Sequence, residues 1–272
     1  MTDRTTPDRR TKPLGQRPGV LQMLDVDKTF NGNVTALRRM ALTVNEGDFI
    51  SLLGPSGCGK STALRLIAGL MRPTSGRIIW DGGQGADDLG VVFQEPTLMP
   101  WATVAQNVWL PFRLRGQSFA AARDKIEAAL GLVGLDRFAA SYPRELSGGM
   151  KMRVSIARAL VTNPRLILMD EPFAALDEIT RQKLNDDLLA LKAKTCCTVI
   201  FVTHSVFESV FLSDRILVMA PRPGRVITEI PVDAPYPRGN EYRTSPAYAA
   251  TARATSDALM GAMGGALMEQ EA

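Results

Sequence analysis

The sequence predicts an α/β fold with a largely parallel core sheet, and two observations support it. Short apolar runs occur at residues 48–53, 166–169, 198–202 and 216–219, and the later runs are separated by segments with helical periodicity. Strands that are apolar throughout are buried on both faces, which is typical of parallel sheets covered by helices. At 272 residues, the chain is long enough to bury such a core.

The other predicted elements follow from the same kind of pattern. Residues 21–30 and 36–44 alternate apolar and polar side chains, which predicts strands of a half-exposed sheet. Between about residues 100 and 163 no strand pattern occurs. Helical periodicity is found there instead, at 105–114, 119–132 and 148–160. We therefore expect a helical insert within an α/β domain.

These patterns divide the chain into three parts. We expect a flexible basic tail at 1–20, a domain at 21–232 with the helical subdomain inserted at about 97–163, and a C-terminal extension at 233–272. The extension is rich in proline at first and then predicts a helix over 258–268. One face of that helix is expected to pack on the core, and it carries Leu259, Met260, Met263 and Leu267.

Composition excludes several classes of protein. Of 32 basic and 28 acidic residues, the first 20 positions hold five basic and two acidic, so the rest of the chain is close to neutral and does not suggest a nucleic-acid partner. A single histidine and three cysteines without a CxxC pair argue against metal clusters and disulfides and favour a reducing cytoplasm. The sequence predicts neither a membrane-spanning helix nor a secretory signal, so any membrane role would come from a partner.

A glycine-rich turn follows the first apolar run. Residues 54–61, Gly-Pro-Ser-Gly-Cys-Gly-Lys-Ser, match the pattern GxxxxGK[ST] between a predicted strand and a predicted helix. Glycines let several backbone N–H groups converge on an anion, and the helix N-terminus adds a positive end. Lys60 offers an ammonium to β and γ phosphates, and Ser61 offers a hydroxyl to Mg²⁺. The residues expected to bind nucleotide here are Gly54, Pro55, Ser56, Gly57, Cys58, Gly59, Lys60, Ser61 and Thr62.

Two acids end the apolar run at 166–169. Asp170 and Glu171 are expected at the carboxyl end of a buried strand, where ligands gather in parallel sheets. Asp170 is the natural partner of Mg²⁺, and Glu171 can polarise a water for attack on a γ-phosphate. The acids become a strong signal only together with the phosphate loop.

Further motifs narrow the class of nucleotide-binding protein. Together with the phosphate loop and the two acids they occur once each and in order: Phe30, Gln94 in Val-Val-Phe-Gln-Glu-Pro, Leu-Ser-Gly-Gly at 146–149, Ala-Leu-Asp at 175–177, and His204. With these, the sequence resembles the ATP-binding subunit of an ABC transporter over roughly residues 20–232. The resemblance implies a P-loop NTPase cassette with a mixed or parallel core sheet, an antiparallel β subdomain and a helical insert.

The resemblance also implies roles for single residues. Phe30 would stack on adenine, although the family more often has Tyr there. Gln94 would sense Mg²⁺ or the attacking water at the start of the helical insert, and His204 would hydrogen-bond the γ-phosphate. Glu171, His204, Gln94 and Lys60 are thus the expected catalytic residues, and Ser61, Gln94 and Asp170 the expected Mg²⁺ site.

A second group of motif residues would act on a partner's nucleotide. Ser147, Gly148 and Gly149 would hold the γ-phosphate bound by a second copy of the chain, and Asp177 would lie at the dimer seam. Because Ser147 opens a predicted helix and the glycines permit close approach, backbone N–H groups could bind an anion there. Met150 and Met152 depart from the family, where Gln is common at both positions, so a polar contact to that nucleotide is in doubt.

The implied function is ATP hydrolysis by a homodimer that drives a membrane importer. The expected partners are two permease subunits and, indirectly, a periplasmic or lipid-anchored solute-binding protein, with the chain at the cytoplasmic face of the inner membrane. Several features resemble the nitrate, sulfonate and taurine uptake group, including Pro223-Gly224-Arg225. Alternatives are a soluble ABC ATPase without a transport role, the ATPase of an exporter, and a P-loop kinase or switch protein.

Overall fold

The computed structural model of the chain describes residues 17–82, 88–236 and 238–270, with side chains described up to residue 264. Most of the predicted tail, residues 1–16, therefore lies outside the described residues. The first strand begins at Gly19 and buries Val20, so residues 19 and 20 belong to the folded domain.

The described residues form nine strands. They are β1 (Gly19–Phe30), β2 (Val34–Asn45), β3 (Phe49–Leu53), β4 (Ser75–Trp80), β5 (Leu89–Val92), β6 (Leu166–Asp170), β7 (Thr198–Thr203), β8 (Arg215–Met219) and β9 (Val226–Pro231). Six of them make the core sheet in the order β5-β6-β7-β3-β8-β9, parallel except for the edge strand β9. The other three make an antiparallel sheet in the order β2-β1-β4. The predicted mixed core sheet and antiparallel subdomain are confirmed.

Eight α-helices accompany the strands within the described residues. They are α1 (Lys60–Ile67), α2 (Val104–Leu114), α3 (Phe119–Leu132), α4 (Gly148–Leu160), α5 (Glu178–Thr195), α6 (Val206–Leu212), α7 (Asn240–Arg243) and α8 (Pro246–Gln270). Side-chain oxygens of Thr103, Ser118 and Ser147 cap α2, α3 and α4, which is why the insert helices begin where they do. These three helices form the predicted helical insert between β5 and β6.

Both faces of the core sheet are buried, and each face belongs to a different apolar cluster. Along β3, Phe49 and Leu53 pack toward the helices of the insert and toward α5 and α6. The alternate residues Ile50 and Leu52 pack toward the antiparallel sheet and α1. Burying one such side chain contributes about 1.5–3 kcal/mol, so the strands are mostly apolar. The buried hydroxyl of Ser51 in β3 is paired with that of Ser213.

Three strands, β4, β5 and β9, were not predicted from the apolar and alternating runs of the sequence. β4 is half-exposed and begins Ser-Gly-Arg, and β5 has only four residues, one of them Gly90. A Cβ at Gly90 would lie 2.6 Å from the carbonyl oxygen of Ala159, so glycine is required there for β5 to lie against α4. Close packing explains this glycine, but the packing is not visible in the local pattern.

The predicted C-terminal helix is longer than expected and uses another face. α8 begins at Pro246, and the side chains buried along it are Tyr248, Ala252, Thr255 and Ala262. Met260 and Met263 are 60% and 47% exposed, so the prediction that they pack on the core is wrong. Leu259 does pack against the core, and the side chain of Leu267 lies outside the described residues. Beyond Tyr248, the buried positions of the helix are the small residues Ala252, Thr255 and Ala262, rather than Met260 and Met263.

No helix in the described part of the chain is long and apolar enough to cross a membrane.

Candidate active site

The phosphate loop lies between β3 and α1 and is shaped by two left-handed glycines. Gly57 has φ 77° and Gly59 has φ 95°, a region that other residues adopt only with strain. A Cβ at Gly59 would also lie 2.9 Å from the carbonyl oxygen of Ala36. The turn directs the N-terminus of α1 toward the mouth of the loop, where Ser56 and Gly57 are exposed. This concave backbone is suited to bind phosphate groups.

Lys60 lies across the loop. Its Nζ atom donates hydrogen bonds to the carbonyl oxygens of Gly54 and Pro55, at 2.7 and 3.0 Å. The same atom is 3.8 Å from Oε1 of Glu171, and the side chain is buried. A buried ammonium close to a carboxylate and to a row of N–H groups provides positive charge where a triphosphate would lie.

Ser61 and Asp170 meet at the foot of the loop. The Ser61 hydroxyl donates to Oδ1 of Asp170 at 2.9 Å. Burial raises the pKa of Asp170, while the hydrogen bond from Ser61 acts in the opposite direction. A hydroxyl and a carboxylate oxygen are ligands that Mg²⁺ prefers, so this donor set fits Mg²⁺ bound together with phosphate oxygens.

Glu171 follows in a strained backbone conformation. Its φ is 46°, in the left-handed region that is uncommon for residues other than glycine and clusters at functional sites. Its N–H donates to the carbonyl oxygen of Val202, and its Oε2 atom is 3.1 Å from Nδ1 of His204. The structure thus brings Lys60, Glu171 and His204 into one group at the mouth of the phosphate loop, beside the Ser61–Asp170 pair.

Three other predicted residues lie outside this hydrogen-bonded group. Gln94 is exposed just beyond β5 and, within the described residues, takes no part in these bonds. Phe30 is 38% exposed at the end of β1, and Nζ of Lys28 lies over its ring, 5.3 Å from the centroid. Thr62 is half-buried in the first turn of α1.

The side chain of Cys58 does not face the mouth of the loop. It is 1% exposed, and burial raises the pKa of its thiol. A Cβ at Gly54 would lie 2.8 Å from its Sγ atom, which places the thiol beneath the loop. Cys58 therefore contributes its backbone to the site, and its thiol is part of the packing.

The loop that contains Pro223-Gly224-Arg225 packs against the phosphate loop. From the sequence, this motif indicated only a resemblance to the uptake group. Nε of Arg222 donates to the carbonyl oxygen of Gly57 at 3.2 Å. A Cβ at Gly224 would lie 1.9 Å from the carbonyl oxygen of Cys58. Glycine is therefore required at position 224 by the close approach of the two backbones. This glycine was the one sequence signal for the contact between the two loops.

The Leu-Ser-Gly-Gly segment and Asp177 form a separate group. Ser147 and Asp177 are the N-caps of α4 and α5, accepting from Met150 N–H at 3.3 Å and Thr180 N–H at 2.9 Å. A Cβ at Gly149 would lie 2.8 Å from the Thr180 methyl group, so the two helix N-termini lie side by side. Hydrogen bonds from Thr180 lower the pKa of Asp177. Ser147, Gly148 and Asp177 are exposed, which leaves the first turns of both helices accessible.

The two methionines that depart from the family lie behind this surface. Met152 is buried and Met150 is half-buried, and both pack in the cluster on the helical face of the core sheet. Their side chains stabilise the position of α4.

Comparison with known proteins agrees with this geometry. Residues 37–174 match the family model for ABC transporters. The chain is 46% identical to the taurine import ATP-binding protein of Rhizobium johnstonii, over 75% of this chain and 79% of that protein. It is 44% identical to the nitrate import ATP-binding protein of a Synechocystis species, over 79% of this chain and 83% of that one.

A solved structure extends the comparison to three dimensions. A dimeric ATP-binding cassette in a post-hydrolysis state, with ADP and phosphate bound, superposes with a TM-score of 0.68 and 34% identity, covering 79% of this chain and 99% of that chain. The family model, the relatives and the fold agree. The chain therefore belongs to the ABC transporter family and is one of its ATP-hydrolysing subunits.

Proposed function

We propose that two copies of this chain bind ATP between them and hydrolyse it to drive a membrane importer of small solutes. One observation carries the proposal. The chain has a phosphate-loop group built from Lys60, Asp170, Glu171 and His204, while Ser147 and Gly148, at the start of α4, are exposed and take no part in it. A second copy in head-to-tail orientation gives each exposed segment a phosphate to bind.

In this proposal each residue has a chemical task. Backbone N–H groups of residues 56–62 and the Lys60 ammonium bind the β and γ phosphates. Glu171 accepts a proton from the attacking water, and His204 hydrogen-bonds the γ-phosphate. Ser61, Asp170 and Gln94 would hold Mg²⁺, which neutralises the charge that develops on the phosphates. Phe30 stacks on the adenine ring.

The permease subunits are proposed to dock beside Gln94. Phe93 and Trp101, on either side of the loop that follows β5, are 43% and 74% exposed, and Leu114 at the end of α2 is also exposed. Aromatic side chains of this kind are enriched at the centres of protein interfaces. Docking there would hold the chain at the cytoplasmic face of the inner membrane, with a solute-binding protein on the other side.

The proposed cargo is a small inorganic or organic anion, such as nitrate, a sulfonate or taurine, or a related small organic compound. The names of the taurine and nitrate import relatives support this class. Since the ATPase subunit does not touch the cargo, the choice within the class falls to the binding protein. Purifying the complex from its source, followed by a ligand screen on the solute-binding protein that accompanies it, tests the cargo directly.

The variant Glu171→Gln tests the ATPase cycle. An amide cannot accept the proton from water, so we expect ATP turnover to fall by about 100- to 10,000-fold, while ATP binding is retained and a dimer accumulates on size-exclusion chromatography with ATP. Glu127→Gln, an exposed acid on α3 outside both groups of site residues, is the matched control and should turn over normally. Normal turnover by Glu171→Gln would remove this residue from the role of base.

A further inference from the structure

The helix that follows His204 is too short to be stable by itself. α6 has seven residues, Val206–Leu212, whereas isolated helices below about 12 residues are marginal in water. Its position must therefore come from tertiary contacts. Because His204 lies two residues before it, whatever holds α6 also determines where the imidazole points.

On the N-terminal side, α6 is tied to the His204 segment. The Thr203 hydroxyl donates to the carboxylate of Glu208 and accepts from the N–H of Ser205 at 3.0 Å. The Ser205 hydroxyl caps the helix by accepting from the N–H of Glu208 at 3.3 Å. His204 lies between the two residues of this hydrogen-bonded turn, so a displacement of α6 would move it relative to Glu171.

On the C-terminal side, the helix is held by a buried arginine from the C-terminal extension. Nη1 of Arg238 donates to the carbonyl oxygens of Phe211 and Ser213, at 3.0 and 2.8 Å, and the side chain is only 5% exposed. These carbonyls are at the end of α6 that lacks intrahelical partners, where a positive charge is favourable. The Tyr236 hydroxyl adds a bond to the carbonyl oxygen of Leu212 at 2.8 Å.

The side of α6 is covered by the start of α8. The Tyr248 hydroxyl donates to the carbonyl oxygen of Phe207 at 3.0 Å, and the two rings stack with centroids 6.4 Å apart. Arg243 lies 3.6 Å above the ring of Phe211 and pairs with Asp186 of α5 at 2.8 Å. The extension thus contacts α6 at both ends and anchors itself on a neighbouring helix.

We propose that the C-terminal extension positions His204 for hydrolysis, with Arg238 and Tyr248 as positioning residues that act through α6. This inference rests on the proposed role of His204. The phosphate loop shares none of these contacts, so loosening the extension is expected to lower the rate of hydrolysis and leave ATP affinity unchanged. The extension is then a place from which turnover can be adjusted without altering nucleotide binding.

The test uses Tyr248→Phe in the untagged full-length chain, because it removes one hydroxyl and keeps the stacked ring. The chain has a single histidine, so the imidazole signals in an NMR spectrum belong to His204. We expect these signals to shift or broaden, and the kcat for ATP to fall about three- to tenfold with KM changed less than about twofold, since a small misplacement of a catalytic group is costly. Tyr242→Phe is the matched control, because Tyr242 contacts Phe211 through its ring.

If Tyr248→Phe does not fold, Tyr236→Phe removes the hydrogen bond at the other end of α6 and is expected to give the same two changes. Unchanged His204 signals in the folded variant would overturn the inference, even if kcat falls. Equal changes in Tyr242→Phe would also overturn it, because they would indicate general loosening. Absence of ATPase activity in the unmodified chain, with shifted His204 signals in the variant, would instead refute the proposed function and leave the positioning intact.

Discussion

The two helix N-termini that the chain offers to phosphate are built in different ways. The N-cap of α1 is Gly59, in a left-handed conformation and without a side-chain cap. Its first turn contains Lys60 and Ser61, which contact Glu171 and Asp170. α4 begins at Ser147, whose own hydroxyl caps the helix, and its first residue is exposed. The first is equipped with charge and catalytic groups, whereas the second offers mainly backbone N–H groups.

This difference indicates which of the two N-termini can bind a nucleotide by itself. The N-terminus of α1 holds Lys60 together with Asp170 and Glu171, the proposed metal ligand and base, so it can bind a nucleotide from one side. Burial raises the pKa of Asp170 there. The exposed N-terminus of α4 lacks such a group of side chains. In the proposed dimer it contributes to binding only when it meets a nucleotide held by the other copy. This contrast supports the proposal that the two N-termini are halves of one site, which forms between two copies of the chain.

The largest effect is expected when one half of the site is damaged in each of two chains. Lys60→Ala removes the ammonium of the first half, and Ser147→Arg places bulk on the exposed second half. Each variant alone should lose at least about 100-fold in ATP turnover, since removing preorganised charge stabilisation costs this much. An equimolar mixture should regain turnover, because a mixed dimer contains one undamaged pair of halves.

The mixture is measured by phosphate release, with each variant at the total concentration as the control. If the halves acted within one chain, mixing would restore nothing, and the division between chains would be wrong.

A smaller effect is expected from adding one methyl group to each half. Gly59→Ala forces a Cβ into a left-handed backbone and against the Ala36 carbonyl, which should cost about 1–3 kcal/mol of unfolding free energy. Gly148→Ala places a Cβ 3.4 Å from Leu176 at the start of α4, an ordinary contact, and should change stability by less than about 1 kcal/mol. Urea unfolding without nucleotide compares the two. Equal losses would show that the first turn is not strained in the way described.

The smallest effect concerns the charge at the N-terminus of α5. Hydrogen bonds from Thr180 lower the pKa of Asp177 below its ordinary 3.8, so ionised Asp177 stabilises the fold above that pH, and the stabilisation is lost as pH falls through the lower native pKa. Asp177→Asn keeps a good cap but has no charge. We expect the variant to be slightly less stable at pH 6 and the difference to shrink toward pH 3 in urea unfolding. A difference independent of pH would contradict the assignment.

Much of this site could be predicted from the sequence because its motifs are local. Residues 54–61 contain the glycines, the lysine and the hydroxyl in one turn, and Asp170 and Glu171 end a recognisable apolar strand. The left-handed φ of Glu171 and its contact with His204 could not be predicted, because they depend on how β6 and β7 lie next to each other. The residues of either strand do not by themselves determine the register between β6 and β7.

Sequence alone therefore determined the class of fold, the phosphate loop and the order of the motifs, since each depends on residues close together in the chain. Tertiary structure decided the rest. It grouped Lys60, Glu171 and His204, buried the thiol of Cys58, and turned Ala252, Thr255 and Ala262 of α8, rather than Met260 and Met263, toward the core. The sequence indicates no role for Arg238. Only its packing against α6 shows that its guanidinium binds the carbonyl oxygens of Phe211 and Ser213. Long-range approach of backbone segments creates these contacts, and such approach has no local signature.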